Sequence, residues 1–212
     1  MIRIVLADDH AIVREGLKRI VADVPDFSVV GEAADGAGVL QAVRGLEFDV
    51  LVLDLSMPGR SGMELIKLVK AEQPKLRILV LSMHQETQYA VRAIKSGASG
   101  YLTKESAPAQ LEQAIRKIAG GGAYISTEVA EQLALGAMPD AAAAPHESLS
   151  DREFEVLRQL AGGASVTEIA AALKLSVKTV STHKANGMAK MGLANQSELV
   201  RYALKHGLIE DS

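Results

Sequence analysis

The stretch "LVLDLSMPGRSG", residues 51–62, runs three apolar residues, Leu51, Val52 and Leu53, straight into a single carboxylate, Asp54. A short unbroken apolar run, closed by turn formers such as Pro58 and Gly59, reads as a strand buried on both faces, since a half-exposed strand would alternate. Asp54 then stands where a buried strand stops and a loop begins. Working outward, "IRIVLA" (2–7), "SVVGEAA" (28–34), "RILVLS" (77–82) and "SGYLTK" (99–104) read as four more strands. Between them apolar residues recur at helical spacing: Ile12, Val13, Leu17, Ile20 and Val24; Val39, Leu40 and Val43; Leu65, Ile66 and Val69. Alternating strand and helix units predict a doubly wound α/β domain, five parallel strands covered on both faces.

That pattern ends near residue 122. After "IAGGG" comes "AYISTEVAEQLALGAMPDAAAAPHES", a weak helix that decays into alanine, proline and polar residues, so 123–148 is read as a linker, flexible from about 137. From 149 to the end the periodicity is wholly helical. "LSDREFEVLRQLAGG" opens with Ser150 and Glu153 at capping-box spacing, and further helices are expected near 167–173, 177–191 and 196–206, an all-α four-helix unit.

Composition narrows the chemistry. No cysteine occurs, which excludes disulfides, thiolate metal sites and a cysteine nucleophile. Aromatics make up only 3% and tryptophan is absent, so nucleic-acid contacts cannot rest on aromatic stacking platforms. Net charge is −3, yet residues 163–206 carry six Lys or Arg (Lys174, Lys178, Lys184, Lys190, Arg201, Lys205) against Glu168 and Glu198. The basic excess lies in the helical end. No uncharged stretch approaches the ~18 residues of a membrane helix, and a cytoplasmic protein without membrane contact is expected.

In a parallel α/β sheet the ligand site lies at the carboxyl ends of the strands, where strand order reverses. Asp8 and Asp9 follow the first strand, Asp54 ends the third, Ser82 the fourth, and Lys104 the fifth. Three neighbouring carboxylates repel one another unless a hard divalent cation such as Mg²⁺ shares them. Metal and ammonium together suit a phosphoryl group, with a carboxylate in line as nucleophile.

These elements, "DD" at 8–9, "LDLSMPGRSG" around 54, "LS" at 81–82 and "YLTK" ending at 104, resemble a response-regulator receiver domain over about 120 residues. The resemblance implies that Asp54 is the phosphoacceptor, and that Asp8, Asp9, Asp54 and the backbone carbonyl of Ser56 hold Mg²⁺. By the same resemblance Ser82 and Lys104 bind phosphoryl oxygens, and Tyr101 is an aromatic switch that moves inward as Ser82 moves toward the phosphoryl group. A histidine kinase's phosphohistidine, or acetyl phosphate, would be the donor, and the chain would not be a turnover enzyme. Two positions depart from the pattern: Glu105 follows the lysine where many receivers have proline, and Ser82 replaces the commoner threonine. Met83 and His84 lie where they could tune the acyl-phosphate lifetime, although His84 is read as a loop residue.

In the helical end, "GGASVTEIAAALKLSVKTVSTHKANGMAKMG" reads as helix, tight turn, helix, the arrangement in which the second helix enters the major groove. Ile169, Ala170 and Leu173 are expected to face inward with Ala171 and Ala172 permitting close packing, and Val177, Val180, Met188 and Met191 to be buried. With "REFEVL", "EIA", "KTVSTH" and "AKMGLANQSEL" the block resembles the LuxR-type DNA-binding domain of NarL/FixJ response regulators. That implies base reading by Ser181, Thr182 and Ala185, and backbone contacts from Lys178, Thr179, His183 and Lys184. Ala185 lacks the basic side chain of some relatives, and Val166 departs from the usual small polar residue. The resemblance further implies a homodimer when phosphorylated, on a near-palindromic DNA site, with Val200, Ala203 and Leu204 supplying its apolar contacts.

Two rivals remain at this point. An aspartate-nucleophile phosphatase would need a second acid two residues after Asp54, where Ser56 stands. A phosphorylation-controlled protein-interaction module would use the first half but not the second.

Overall fold

The computed structural model describes residues 1–57, 62–83, 87–136 and 144–209. His84, Pro58 to Ser61 and most of the expected flexible linker lie outside the described residues. The chain divides into two compact units, the first built from Met1–Gln85 and Tyr89–Ala130 and the second chiefly from Glu131–Ser212.

In the first unit β1 (Ile2–Ala7), β2 (Phe27–Ala33), β3 (Val50–Asp54), β4 (Arg77–Ser82) and β5 (Gly100–Thr103) form one sheet in the order β2-β1-β3-β4-β5. All pairings are parallel. Five helices alternate with them: α1 (Ala11–Ala22), α2 (Gly36–Gly45), α3 (Gly62–Glu72), α4 (Thr87–Lys95) and α5 (Ala107–Ala119). Ile4, Leu6, Val50, Val52, Leu79 and Leu81 share a core with Leu17 and Val21 of α1 and Leu111, Ile115 and Ile118 of α5. Successive strand residues point to opposite faces, so Val5, Leu51, Leu53, Ile78 and Val80, all fully buried, supply the second face. Every residue of β3 is buried, which explains its unalternating sequence. Ile12 breaks the expected inward stripe of α1: it is 88% exposed, because Val13 and Leu17 already satisfy the helix face toward the sheet.

Strand order reverses between β1 and β3, and the register aligns their ends, Ala7 opposite Leu53, Asp54 opposite Leu81 and Ser82 opposite Thr103. Four polar residues thus reach one rim. Gly62, which opens α3, leaves no space for a side chain: a Cβ there would lie 2.7 Å from Leu55 Cα. Gly62 thus packs directly against Leu55, just past the end of β3.

A further helix, α6 (Thr127–Leu135), follows α5 in the chain. The second unit begins with a 3₁₀ turn over Pro145–Ser148 and continues with α7 (Asp151–Ala161), α8 (Val166–Ala172), α9 (Val177–Met191) and α10 (Gln196–Lys205). Each starts at a side chain that accepts from the first turn: Ser150, Ser165, Ser176 and Asn195. Such caps satisfy amide donors that a helix start leaves orphaned. Glu153 closes the capping box of α7, accepting from Ser150 N at 2.8 Å, and its Oε2 also meets Lys190 Nζ of α9 at 2.7 Å. Phe154, Leu157, Leu160, Ile169, Val180, Met188, Met191, Leu199 and Ala203 are buried in this unit. The 3₁₀ turn is tied to α10 by His146, whose Nδ1 lies 2.9 Å from Tyr202 Oη. Val177 is not buried as the sequence suggested. It is 49% exposed because it starts the helix, one turn ahead of the packed stripe through Val180. Ala171 and Ala172 are exposed as well, leaving Ile169 and Ala170 to make the packing of α8.

Candidate functional site

Asp8 and Asp54 are each 1% exposed and Ser82 is fully buried, all at the carboxyl rim of the sheet. Asp8 Oδ1 accepts from the His10 backbone N–H at 2.8 Å, which sets the entry of α1. Arg14 Nη1 donates to the Asp8 carbonyl at 2.6 Å and its Nε to Glu32 at 3.2 Å, fixing the strand end from the other side. Asp54 Oδ1 accepts from Ser56 N at 3.0 Å, so the position where a phosphatase needs its acid offers a backbone donor instead.

Lys104 crosses the rim from β5. Its Nζ lies 2.6 Å from Asp8 Oδ2 and 2.9 Å from Asp54 Oδ2, with only 11% of its side chain exposed. Burial pushes the Asp54 carboxyl above its usual value and Asp8 adds to this, while Ser56 and Lys104 pull the other way without reversing it. Burial also works against the Lys104 ammonium, but its contacts with the Asp8 and Asp54 carboxylates outweigh that and hold its pKa above normal.

The donor set fits a cation. One ligand atom from each of Asp8, Asp9, His10 and Asp54 lies within 4.8 Å of all the others. Asp8 Oδ2 and Asp9 Oδ1 are buried atoms that accept no hydrogen bond, the Lys104 contact to Asp8 being ionic without hydrogen-bond geometry. Buried oxygens in that condition are costly unless charge compensates them.

Tyr101, on β5, is buried at 9% exposure. The peptide after Lys104 is trans, as no cis bond occurs among the described residues.

In the second unit α8 and α9 are joined by Leu173 to Ser176, with Lys174 in the left-handed region at φ 53°. Lys178, Ser181, Thr182 and Ala185 are exposed on α9, while Thr179, His183 and Lys184 are half-buried. The Thr182 hydroxyl donates back to the Lys178 carbonyl at 3.0 Å, and Thr179 Oγ1 lies 2.7 Å from Ser176 Oγ.

Residues 4–116 match the response regulator receiver domain, and residues 147–203 match the LuxR family of bacterial regulatory proteins. The chain is a LuxR-family response regulator. It is 35% identical over 209 residues to the response regulator UvrY of Escherichia coli K12, covering 98% of this chain and 96% of that one. It is 35% identical over 211 residues to the response regulator GacA of Pseudomonas aeruginosa, covering 99% of both. Among solved structures, the RcsB response regulator of Salmonella typhimurium superposes with a TM-score of 0.68 at 33% identity, covering 95% of this chain and 96% of that one. RcsB bound to the promoter P1flhDC in the presence of the phosphomimetic BeF₃⁻ gives 0.66 at 32% identity, covering 96% and 98%.

As a response regulator, this chain is a DNA-binding regulator of transcription with a receiver domain at its amino end. No helix among the described residues is long and apolar enough to cross a membrane. Sequence reasoning missed Arg14 and His10, which hold and border the pocket from α1; His10 directly follows the acid pair, and that adjacency was the available signal. It also named one residue too many on α10. Ala203 is 1% exposed in the unit's own core, because the apolar stripe of α10 faces α7, whereas Val200 is half-buried and Leu204 is 40% exposed.

Proposed function

We propose that this response regulator takes a phosphoryl group onto Asp54 from a histidine kinase and, so modified, binds DNA as a homodimer. The observation that carries the reading is the position of Asp54: rigid at the end of a fully buried strand, yet bordered by Asp8, Asp9 and Lys104 at the switch point. A carboxylate oxygen of Asp54 attacks phosphorus, the P–N bond of phosphohistidine breaks, and the imidazole leaves and takes a proton. A bound Mg²⁺, held by Asp8, Asp9, Asp54 and the Ser56 carbonyl, would neutralise the transferring oxygens. Lys104 and Ser82 flank the acceptor and would meet the oxygens of the new acyl phosphate. Tyr101, paired with Val80, lies on the strand that leads to Lys104 and belongs to the same switch.

The division of labour proposed is a receiver over 1–122, a linker over 123–148 and a DNA-binding domain over 149–212. On α9, Ser181, Thr182 and Ala185 face base edges, and Lys178, Thr179, His183 and Lys184 face phosphates. Val200 and Leu204 of α10 offer the apolar dimer contact on a near-palindromic site. The protein would act in the cytoplasm, where kinase and chromosome are both accessible.

The deciding experiment is intact-mass analysis after incubation with acetyl phosphate and Mg²⁺. Wild type gains one phosphoryl group; Asp54→Ala, or wild type with EDTA, gains none. An equal gain by Asp54→Ala would place the acceptor elsewhere.

A further inference from the structure

His10 stands at the N-cap of α1, but its side chain caps nothing: the ring makes no hydrogen bond to the first turn, and the backbone N–H is the group that bonds Asp8. Nor is the ring packed, since 65% of the side chain is exposed. Its Nδ1 is turned toward the acids: it shares a hydrogen bond with Asp8 Oδ1 at 3.3 Å and lies 2.9 Å from Asp9 Oδ1. The second contact is the informative one, because Asp9 Oδ1 is a buried atom that accepts no hydrogen bond, even from a ring nitrogen at that distance. Nδ1 and the carboxylate oxygens thus lie close enough together to share one ion, the Nδ1 bond to Asp8 being given up when the ion binds.

We propose that His10 is a further ligand of this pocket, giving it a preference for borderline divalent transition ions such as Mn²⁺, Co²⁺ and Ni²⁺ over Mg²⁺. The inference rests on the cation reading of the acidic pocket given above. Mg²⁺ is a hard ion that keeps oxygen ligands and water, so an imidazole adds little to its binding. Imidazole suits later first-row ions, whose affinity rises along the series from Mn²⁺ toward Cu²⁺. The acids alone would bind by charge and size; His10 adds discrimination by ligand type. The neighbours fit that task. Lys104 sits against Asp8 Oδ2 and Asp54 Oδ2, which leaves Asp8 Oδ1 and Asp9 Oδ1 on the His10 side. The His10 backbone, held by Asp8, aims the ring without immobilising it.

The test uses the full-length, tag-free protein, because four other histidines occur in the chain and any affinity tag would add more. Calorimetric titrations with Mg²⁺, Mn²⁺, Co²⁺ and Ni²⁺ compare wild type with His10→Ala, His10→Gln, Asp9→Ala and Asp54→Ala. Pulsed electron paramagnetic resonance of the Mn²⁺-loaded protein reports a directly bound ring nitrogen. We expect both His10 variants to bind Co²⁺ and Ni²⁺ about 10–100-fold more weakly, to change Mg²⁺ binding by less than about 3-fold, and to lose the nitrogen modulation of Mn²⁺. Unchanged transition-ion affinity and modulation in both variants would overturn the role of His10 while leaving the acidic pocket intact. Binding that survives Asp9→Ala and Asp54→Ala as well would overturn the pocket itself, and His10 with it.

Discussion

Lys104 places its Nζ 2.9 Å from Asp54 Oδ2, joining the ends of β5 and β3 across fifty positions of sequence. The same nitrogen meets Asp8 at 2.6 Å, so one ammonium is shared between two buried carboxylates. Removing it leaves both acids buried without compensation, which costs about 3 kcal/mol for a site this enclosed. In EDTA, Lys104→Met should therefore lower the stability of the first unit by about that amount, measured by urea denaturation. A divalent cation at about 100 times its dissociation constant should return about 2.7 kcal/mol. Equal stability of variant and wild type without metal would mean that the triad is not held together by charge.

Asp54 itself should be a stability liability. Its folded-state pKa is raised, chiefly by burial, so the ionised carboxylate is less welcome in the folded chain than in the unfolded one. For an acid shifted upward the penalty is fully present above the folded pKa and fades as pH falls through it. Asp54→Asn, without metal at pH 7, should raise the unfolding free energy measured by urea denaturation by on the order of 1 kcal/mol. The difference from wild type should shrink as the solution is acidified toward the ordinary carboxylate range. A gain that grew on acidification would mean that the folded chain favours the ionised Asp54 carboxylate.

The DNA reading can be checked through salt. Lys178 is exposed on α9, and a lysine that neutralises one phosphate contributes about 0.9 to the slope of log affinity against log salt. Lys178→Ala should reduce the slope by about that amount on any DNA sequence, whereas Ser181→Ala should alter the preference among sequences and leave the slope unchanged. Mobility shifts over a salt series distinguish the two. The exposed Val177 deserves a place in the same series, since an apolar side chain at a helix start can meet a thymine methyl.

Part of the rim is legible directly because Asp8, Asp54, Ser82 and Lys104 each stand at or just past the end of a strand, and a polar residue closing an apolar run is conspicuous. What escaped were groups whose role depends on direction rather than type. Helical period identifies a face but not which of two adjacent apolar residues lies on it, so Ile12 was placed inward with Val13. A helix's own core and its partner surface draw on the same apolar stripe, which is why Ala203 was read as a dimer contact. His10 carries no periodic signal at all. Its relation to the acids appears only once the Asp8 side chain is seen holding its backbone.

Gly187 shows a converse case, in which local preference and packing disagree. It lies inside the fifteen-residue α9, where glycine costs about 1 kcal/mol relative to alanine in helix propensity. Yet a Cβ there would come 2.8 Å from Leu157 Cδ1, 3.1 Å from its Cγ and 3.4 Å from Glu153 Cβ. Leu157 is 2% exposed and has little room to yield. Overpacking of this kind costs about 1–3 kcal/mol, so Gly187→Ala should be destabilising overall, by up to about 2 kcal/mol. Because α7 would have to move away from α9, the variant should also weaken the contact between Lys190 and Glu153 and reduce affinity for specific DNA. A more stable Gly187→Ala protein with unchanged DNA binding would show that glycine is not required for the close approach of these two helices.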